Sequence, residues 1–461
     1  MVTGIKKEKN NSDFSKGSVW KHIASIAVPM TIAQIVQMLY NIVDRVYIGH
    51  LAENSSYALA GLGLTFPLIT IILAVTNLFG MGGAPLFSIA RGRGDSYKAG
   101  KIMGNTFSML CIWGIVLMVL CFIFMEPVLY LFGASDKTYP FASEYMIIYS
   151  FGIPFSMIAT GMNGFINAQG FAKSGMATVL VGAVTNIMLD PLFIFVFNMG
   201  VAGAALATII SQMLSAVWVI AFFRGKRTMF KINKNDMKIE LSLIKEIASL
   251  GMAGFVMNAS NGLVQVACNT TLKSSGGDIY VSIMTVLSSL RDVISLPAMG
   301  LTNASQPVLG YNYGAEKFER VKSGIKFMTA SGVIYMLLIW LILFMFPGIF
   351  MRIFTSDAEL IKKGIPALHI YFFGIFMMAF QFSGQSTFVG LGFSKHAVFF
   401  SLLRKVFIVV PLTLILPNMF NLGVKGVFMA EPVSNFIGGT ACFITMIFTL
   451  KKNFSSKKQI I

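Results

Sequence analysis

Two carboxylates stand inside long apolar stretches of this chain: Asp44, seven residues after Gln37 and four after Tyr40, and Asp190, directly before Pro191. A carboxylate at bilayer depth costs roughly 2.5–3.5 kcal/mol even on insertion scales, so it marks a cavity or a partner rather than a lipid-facing surface. Asn186 precedes Asp190 by four residues, one helical turn, so the two side chains share a face. Thr208 follows Met199 by nine residues and Asp190 precedes it by nine, so a helical hairpin turning at Met199 sets the hydroxyl level with the carboxylate. Two carboxylates, an amide and a hydroxyl form an oxygen-rich set suited to a proton or to a small hard cation such as Na+. A carboxyl group withdrawn from water beside a second one takes up a proton more readily than one in solution. A structural reading stays open as well. Asp44 could bond Asn186 only to hold helices together, and Arg45 could neutralise Asp44, although adjacent helix positions point in different directions.

Other interior charges are Arg291, Asp292, Arg404, Lys405 and Glu431, and they can pair across the second half of the chain. If Asp292 were instead coupled to cation entry, its neutral replacement would alter a pH dependence. Chemistry of bond cleavage has little support. His22, His50, His369 and His396 are scattered without HExxH spacing, and no Gly-rich phosphate loop with a lysine is present. Cys111, Cys121, Cys268 and Cys442 fall in apolar stretches, where cysteine behaves as a small apolar residue, so neither a disulfide framework nor a metal cluster is expected.

The elements that must position these groups follow from composition. Of 461 residues, 56% are hydrophobic and 12% charged, with mean hydropathy +0.74. That places the chain in a bilayer. A spanning helix takes about 20 mostly apolar residues. Twelve such runs are expected, at 22–47, 62–89, 103–125, 141–167, 173–197, 201–223, 247–272, 279–303, 324–346, 360–390, 396–416 and 426–450. The fold class is therefore an all-α integral membrane protein. Its expected parts are a polar segment 1–21, a first lobe 22–223, a basic linker 224–246, a second lobe 247–450 and a tail 451–461. No cleaved signal peptide is expected, because a full-length span follows the polar start.

The formal charge of +17 is topological rather than a nucleic-acid footprint. With both termini in the cytoplasm, 26 of the 36 Lys and Arg residues fall in inside segments and 6 in outside ones. That is the positive-inside bias of a multi-pass protein of the plasma membrane, for a bacterium the inner membrane. The linker carries seven of the inside charges and could lie on anionic headgroups.

The two halves repeat. Phe151-Gly152-Ile153 matches Phe373-Gly374-Ile375, Gly170-Phe171-Ala172-Lys173 matches Gly392-Phe393-Ser394-Lys395, and the run from Phe197 to Gly203 matches that from Phe420 to Gly426. Gly80 to Gly94 and Gly300 to Gly314 match at their ends. Six spans per half make the repeat parallel, related by an axis along the membrane normal. Two equivalent lobes can rock about a central site and open it to one side at a time, which is what a transporter requires.

The stretch from Pro29 to Gln37, Tyr40, Asp44 to Gly49, the Asn186-x3-Asp190-Pro191 run and the twofold six-helix layout together resemble multidrug and toxic compound extrusion (MATE) exporters, in particular the MepA-like branch. The resemblance covers essentially the whole chain. It implies a cation site on Asp44, Asn186, Asp190 and Thr208, with Tyr145 as a supporting hydroxyl, and no cofactor beyond the coupling ion, H+ and/or Na+. It implies a substrate cavity that includes Gln37, Tyr40 and Asn163. Where some members carry a second acidic site, this chain offers Asn258, Asn261, Gln265, Gln381 and Gln385, without a carboxylate. The implied activity is antiport, in which an inward cation gradient drives amphiphilic or cationic small molecules outward, by a protein expected to act as a monomer. The 30 methionines and 42 phenylalanines suit varied flat cargo, and Met257 is one candidate for the cavity wall. A flippase for lipid-linked saccharides or cell-wall precursors could use the same architecture, and its anionic cargo would call for several cavity arginines and lysines.

Overall fold

A computed structural model of the protein describes residues 13–49, 55–419 and 422–458. Residues 1–12, His50, the Phe420-Asn421 part of the repeat, residues 459–461 and the side chain of Arg45 lie outside that description. Among the described residues the structure is helical and contains no strand. This is the solution an apolar chain must adopt in lipid, where a helix satisfies its own backbone groups.

In the first half, α1 (Val19–Gly49), α2 (Ser55–Gly92), α3 (Ser96–Leu131), α4 (Tyr139–Ala168), α5 (Ala172–Pro191) and α6 (Gly200–Arg224) follow one another. A π turn at Leu192–Val196 extends α5 beyond Pro191. In the second half come α7 (Leu241–Gly276), α8 (Asp278–Gly314), α9 (Phe318–Met345), the short α10 (Pro347–Phe354), α11 (Ala358–Tyr371), α12 (Met378–Gly390), α13 (Ser394–Leu402), α14 (Val410–Ile415) and α15 (Val424–Lys458). Among the described residues, eleven helices are long and apolar enough to cross a membrane, and α11 with α12, bent by 43°, brings the number to twelve when the pair is counted as one span. Large apolar side chains such as Ile123, Leu131 and Phe448 are exposed along these helices, as a lipid-facing surface requires.

The bend falls inside the run 360–390, expected as one span. Gly374 there adopts φ +76° and is followed by a 3-10 turn at Ile375–Met377. Elsewhere the repeat is closely kept. Gly170 and Gly392, equivalent positions, both have positive φ, +89° and +81°, at the same tight inter-helix turn.

The chain divides into two compact units, one holding Val28–Gly251 and the other Ser15–Ala27 with the residues from Met252 onward. In the first unit, Gly80 of α2 and Gly161 of α4 let their backbones meet, since a Cβ on Gly80 would lie 2.8 Å from the Gly161 Cα. Its core is filled by side chains such as Phe87, Met103, Phe165 and Phe223. The segment after α6 is fastened to this unit. Gln169 Oε1 accepts hydrogen bonds from the Met229 and Phe230 amides at 2.9 and 3.1 Å. Asn105 of α3 donates to the carbonyls of Asp236 and Lys238 and accepts from the Glu240 amide at 2.8 Å. In the second unit, the Arg320 guanidinium donates to the Gly17 and Lys16 carbonyls at 2.8 and 3.1 Å, so the approach to α1 is anchored on α9.

Candidate functional site

The first unit brings the amino-terminal oxygen set together. Asn186 Nδ2 on α5 donates to Asp190 Oδ1 at 3.2 Å, one turn along, and reaches Thr208 Oγ1 on α6 at 3.5 Å. The Thr208 hydroxyl donates to the Ala204 carbonyl at 2.9 Å, leaving its oxygen lone pairs toward Asn186. Asp190 and Asn186 are 0% and 1% exposed. Asp190 Oδ2 and Asn186 Oδ1 are buried and receive no hydrogen bond among the described residues. Asp44 on α1 is the carboxyl neighbour of Asp190, within direct side-chain contact range. Tyr145 of α4 points its hydroxyl at Thr208 and stacks on Tyr149 at 5.7 Å between ring centroids.

Buried acceptors without donors are expensive, because each forfeits its water and gains no partner. Two carboxyl groups in contact in a dry site add mutual repulsion unless a proton or a cation lies between them. The arrangement can therefore hold one positive charge, and its cost when empty of charge gives that charge leverage over the surrounding helices.

Local structure explains why these helices meet here. Pro191 has no N–H, so the turn after Asp190 cannot continue with regular α-helical bonding, and the chain widens into the π turn. That turn projects Phe195 onto Tyr47 of α1, edge to face with ring centroids 6.1 Å apart. Tyr47 lies three residues past Asp44 and Phe195 five past Asp190, so the aromatic contact ties together the two acid-bearing helices.

Two neighbouring cavities open beside the acids. One, of about 260 Å3, is lined by Asp44, Tyr145, Thr208, Gln37 and Tyr40. The other, of about 480 Å3, shares Gln37 and Tyr40 and continues along Asn163, Asn167, Gln34 and Gln212. Gln37 Nε2 donates to the Tyr40 hydroxyl at 2.9 Å. Asn163, Asn167, Gln34 and Gln212 each present a buried side-chain carbonyl oxygen with no donor among the described residues. Sequence reasoning singled out Asn163 and missed the other three. A neutral amide in a helix carries no burial penalty large enough to announce itself, and only the one-face spacing of Gln34 and Gln37 on α1 was a usable signal.

In the second unit, Met257, Asn261, Gln381 and Gln385 line a smaller cavity of about 110 Å3. Asn258 and Gln265 are not among its lining residues, and Gln265 instead donates to Asn269 at 3.1 Å. The interior charges of this half do pair. Glu431 Oε1 accepts from Arg404 at 3.1 Å and Lys405 at 3.4 Å, and lies 3.9 Å from Arg291. Arg291 also pairs with the exposed Asp292 at 3.1 Å and donates to the Tyr371 hydroxyl at 3.0 Å. Arg291, Arg404 and Lys405 all line the small cavity, together with the carboxylate of Asp292.

A family model described as MatE matches residues 29–192 and 254–415. The chain belongs to this family, the MATE transporters. Each match covers one half, in keeping with the internal repeat. Among curated proteins, the multidrug export protein MepA of Staphylococcus saprophyticus is 25% identical over 411 residues, covering 89% of this chain and 90% of that protein. MepA of Staphylococcus aureus strain MSSA476 is 26% identical over 412 residues, covering 89% and 90%. Among solved structures, a MATE protein in a bent conformation superposes with a TM-score of 0.91 at 22% identity, covering 96% of this chain and 99% of the other. An outward-facing MATE transporter gives 0.89 at 22% identity, covering 96% and 98%. These likenesses establish a MATE fold for the chain.

Proposed function

We propose that this MATE transporter is a secondary antiporter that exports organic cations and amphiphilic drugs or toxins in exchange for inward H+ or Na+. The observation that carries the coupling is the pair of undonated buried oxygens, Asp190 Oδ2 and Asn186 Oδ1, beside the carboxyl of Asp44. A cation entering there relieves their desolvation and draws α1 toward α5. The cavity wall formed by Gln37 and Tyr40 lies on the same helix as Asp44, so the same movement reshapes the substrate space. Coupling then needs only that cargo and cation prefer different conformers of the lobe. Moving one charge through 100 mV is worth about 2.3 kcal/mol, which sustains roughly a 50-fold cargo gradient.

The cargo reading rests on the acceptors. Gln34, Asn163, Asn167 and Gln212 line the larger cavity and carry buried side-chain oxygens without a donor among the described residues, and a cationic or N–H-bearing amphiphile is the cargo suited to such an acceptor-rich wall. The export proteins similar to this chain are named for multidrug export, which agrees with broad cargo. The distribution of Lys and Arg supports both termini in the cytoplasm and a bacterial inner membrane. The protein acts as a monomer in this scheme, since each ligand group named comes from a single lobe.

The test is proteoliposome transport of a fluorescent organic cation under imposed pH or sodium gradients, with Asp44→Asn and Asp190→Asn beside the wild type. Gradient-driven transport is expected in the wild type and lost in both variants. Undiminished transport in both removes the proposed site. A flippase reading has one observation in its favour, the three basic residues lining the small second cavity. Translocation of an anionic lipid-linked headgroup in liposomes, without drug-dependent cation flux, would replace the exporter reading.

A further inference from the structure

A cavity of about 770 Å3 lies in the second unit, remote in sequence from the acids, and nothing above uses it. It is a groove between α9 and α15. Ile325, Thr329, Val333 and Ile334 line one wall, at the spacing of a single helical face. Phe443, Met446, Ile447 and Leu450 line the other, and Phe380 of α12 lies at the floor against Phe443, with ring centroids 5.0 Å apart. Ile334 and Ile447 are exposed, so the groove opens sideways to the bilayer.

One end differs from the rest. Lys322 and Lys326 of α9 and Lys451 of α15 rim it, and no acidic side chain is among its lining residues. Lys322 is paired with Glu319 at 2.7 Å, whereas Lys326 and Lys451 have no ion-pair partner among the described residues. From Lys322 to Ile334 the wall runs 12 residues, about 18 Å of helix at 1.5 Å per residue. Just below the lysines, Thr329 is 9% exposed and its hydroxyl has no hydrogen-bond partner among the described residues.

We infer that this groove binds an anionic phospholipid, with its acyl chain along α9 and α15 and its phosphate between Lys326 and Lys451. The polarity matches such a molecule end to end: amines at the headgroup level and an apolar trough beyond. The same charge disfavours the organic cations proposed as cargo, so the groove is not a second cargo site. Basic pockets between spanning helices recognise acidic headgroups in this way. The inference is independent of the coupling ion and of the cargo.

Native mass spectrometry of the full-length protein in detergent, titrated with dioleoyl phosphatidylglycerol or dioleoyl phosphatidylcholine, tests it. One phosphatidylglycerol should be retained at concentrations where phosphatidylcholine is not. Lys326→Gln with Lys451→Gln should weaken that binding roughly 30-fold, at about a factor of five per basic residue. Both lysines are exposed, so the fold should survive their replacement. Ala330→Trp keeps every lysine but fills the trough, and should abolish retention. Lys137→Gln with Lys425→Gln, exposed lysines that do not line the groove, should change nothing. Equal retention of both lipids, undiminished phosphatidylglycerol binding in either groove variant, or glycerol 3-phosphate binding as tightly as the lipid would each overturn the assignment.

Discussion

Gly152 and Gly374 occupy the same position of the two repeats, within Phe-Gly-Ile, yet Gly152 lies inside the unbroken α4 while Gly374, at φ +76°, separates α11 from α12. Their neighbours differ in kind. A Cβ on Gly152 would come 2.6 Å from Gln212 Oε1, the far end of a flexible side chain, whereas one on Gly374 would run into the ring of Phe436. Gly374→Ala therefore meets both a left-handed backbone and an aromatic wall. It should cost about 1–3 kcal/mol, read as a fall in thermal unfolding temperature in detergent. Gly152→Ala should unfold near the wild-type temperature. Because Gln212 lines both amino-terminal cavities, that variant should instead change the substrate KM, with little effect on folding.

Thr208 separates the two candidate coupling ions. A proton needs only one carboxyl oxygen, while a sodium ion needs several oxygens at once, and the Thr208 oxygen stands next to Asn186 at 3.5 Å. Thr208→Val keeps the side-chain shape and deletes that ligand. Sodium-driven uptake should need roughly 10-fold more sodium, on the scale of one lost charge-assisted contact. Proton-driven uptake should stay within about twofold of wild type, since a proton on Asp190 or Asp44 does not use the hydroxyl. Transport against graded sodium at fixed pH, then against graded pH without sodium, reads both.

Glu431 holds the interior of the carboxy-terminal half. Its Oε1 is the shared acceptor of Arg404 and Lys405, with Arg291 close by, and all of these side chains are largely buried. Removing one partner of a buried ion pair leaves uncompensated charge and costs about 3–5 kcal/mol. Glu431→Gln should therefore unfold at a much lower temperature than wild type. Lys405→Met combined with Glu431→Gln should recover part of the loss, because the second change removes one of the stranded cations. A double variant no more stable than Glu431→Gln alone would mean that Lys405 does not share this carboxylate.

The oxygen set beside Asp190 was legible in the sequence because charge and burial are so seldom combined in an apolar run that position alone narrows the reading. The i, i+4 spacing of Asn186 and Asp190 then fixed a common face, and the structure adds their 3.2 Å hydrogen bond. Gln34, Asn167 and Gln212 were not legible, since a neutral amide is compatible with lipid-side, helix-packing and cavity positions alike. Nor was the break at Gly374. Both repeats carry Phe-Gly-Ile, followed by Pro154 in the first and Phe376 in the second, and the side chain each glycine meets, Gln212 or Phe436, lies more than 50 residues away in the chain. The Tyr47 and Phe195 contact is of the same kind, since it exists only because the π turn after Pro191 aims a ring at α1.

The basic linker offers a last case in which tertiary contact overrides composition. Residues 224–246 read as a charged tether, but Asn105 of α3 makes four hydrogen bonds, three of them to this segment: its amide nitrogen donates to the carbonyls of Lys101 within α3 and of Asp236 and Lys238, at 3.0, 3.2 and 3.1 Å, and its oxygen accepts from the Glu240 amide at 2.8 Å. Ser108 adds a bond to the Met237 carbonyl at 2.8 Å, and Lys101 a salt bridge to Glu240 at 2.8 Å. Cleavage of such a segment tracks how often it opens when opening is fast relative to cutting. Asn105→Ala removes all four bonds, three of them to the linker itself, and each net bond is worth roughly 1 kcal/mol. Trypsin should then cut at Lys231, Lys234 and Lys238 at least about 10-fold faster than in the wild type, at unchanged global unfolding temperature. Lys234→Gln, an exposed change that touches none of these bonds, should remove one cleavage site without altering the rate at the other two. Equal cleavage of Asn105→Ala and wild type would show that the linker is held by its apolar residues, such as Phe230 against Phe87 at 5.1 Å, rather than by the asparagine.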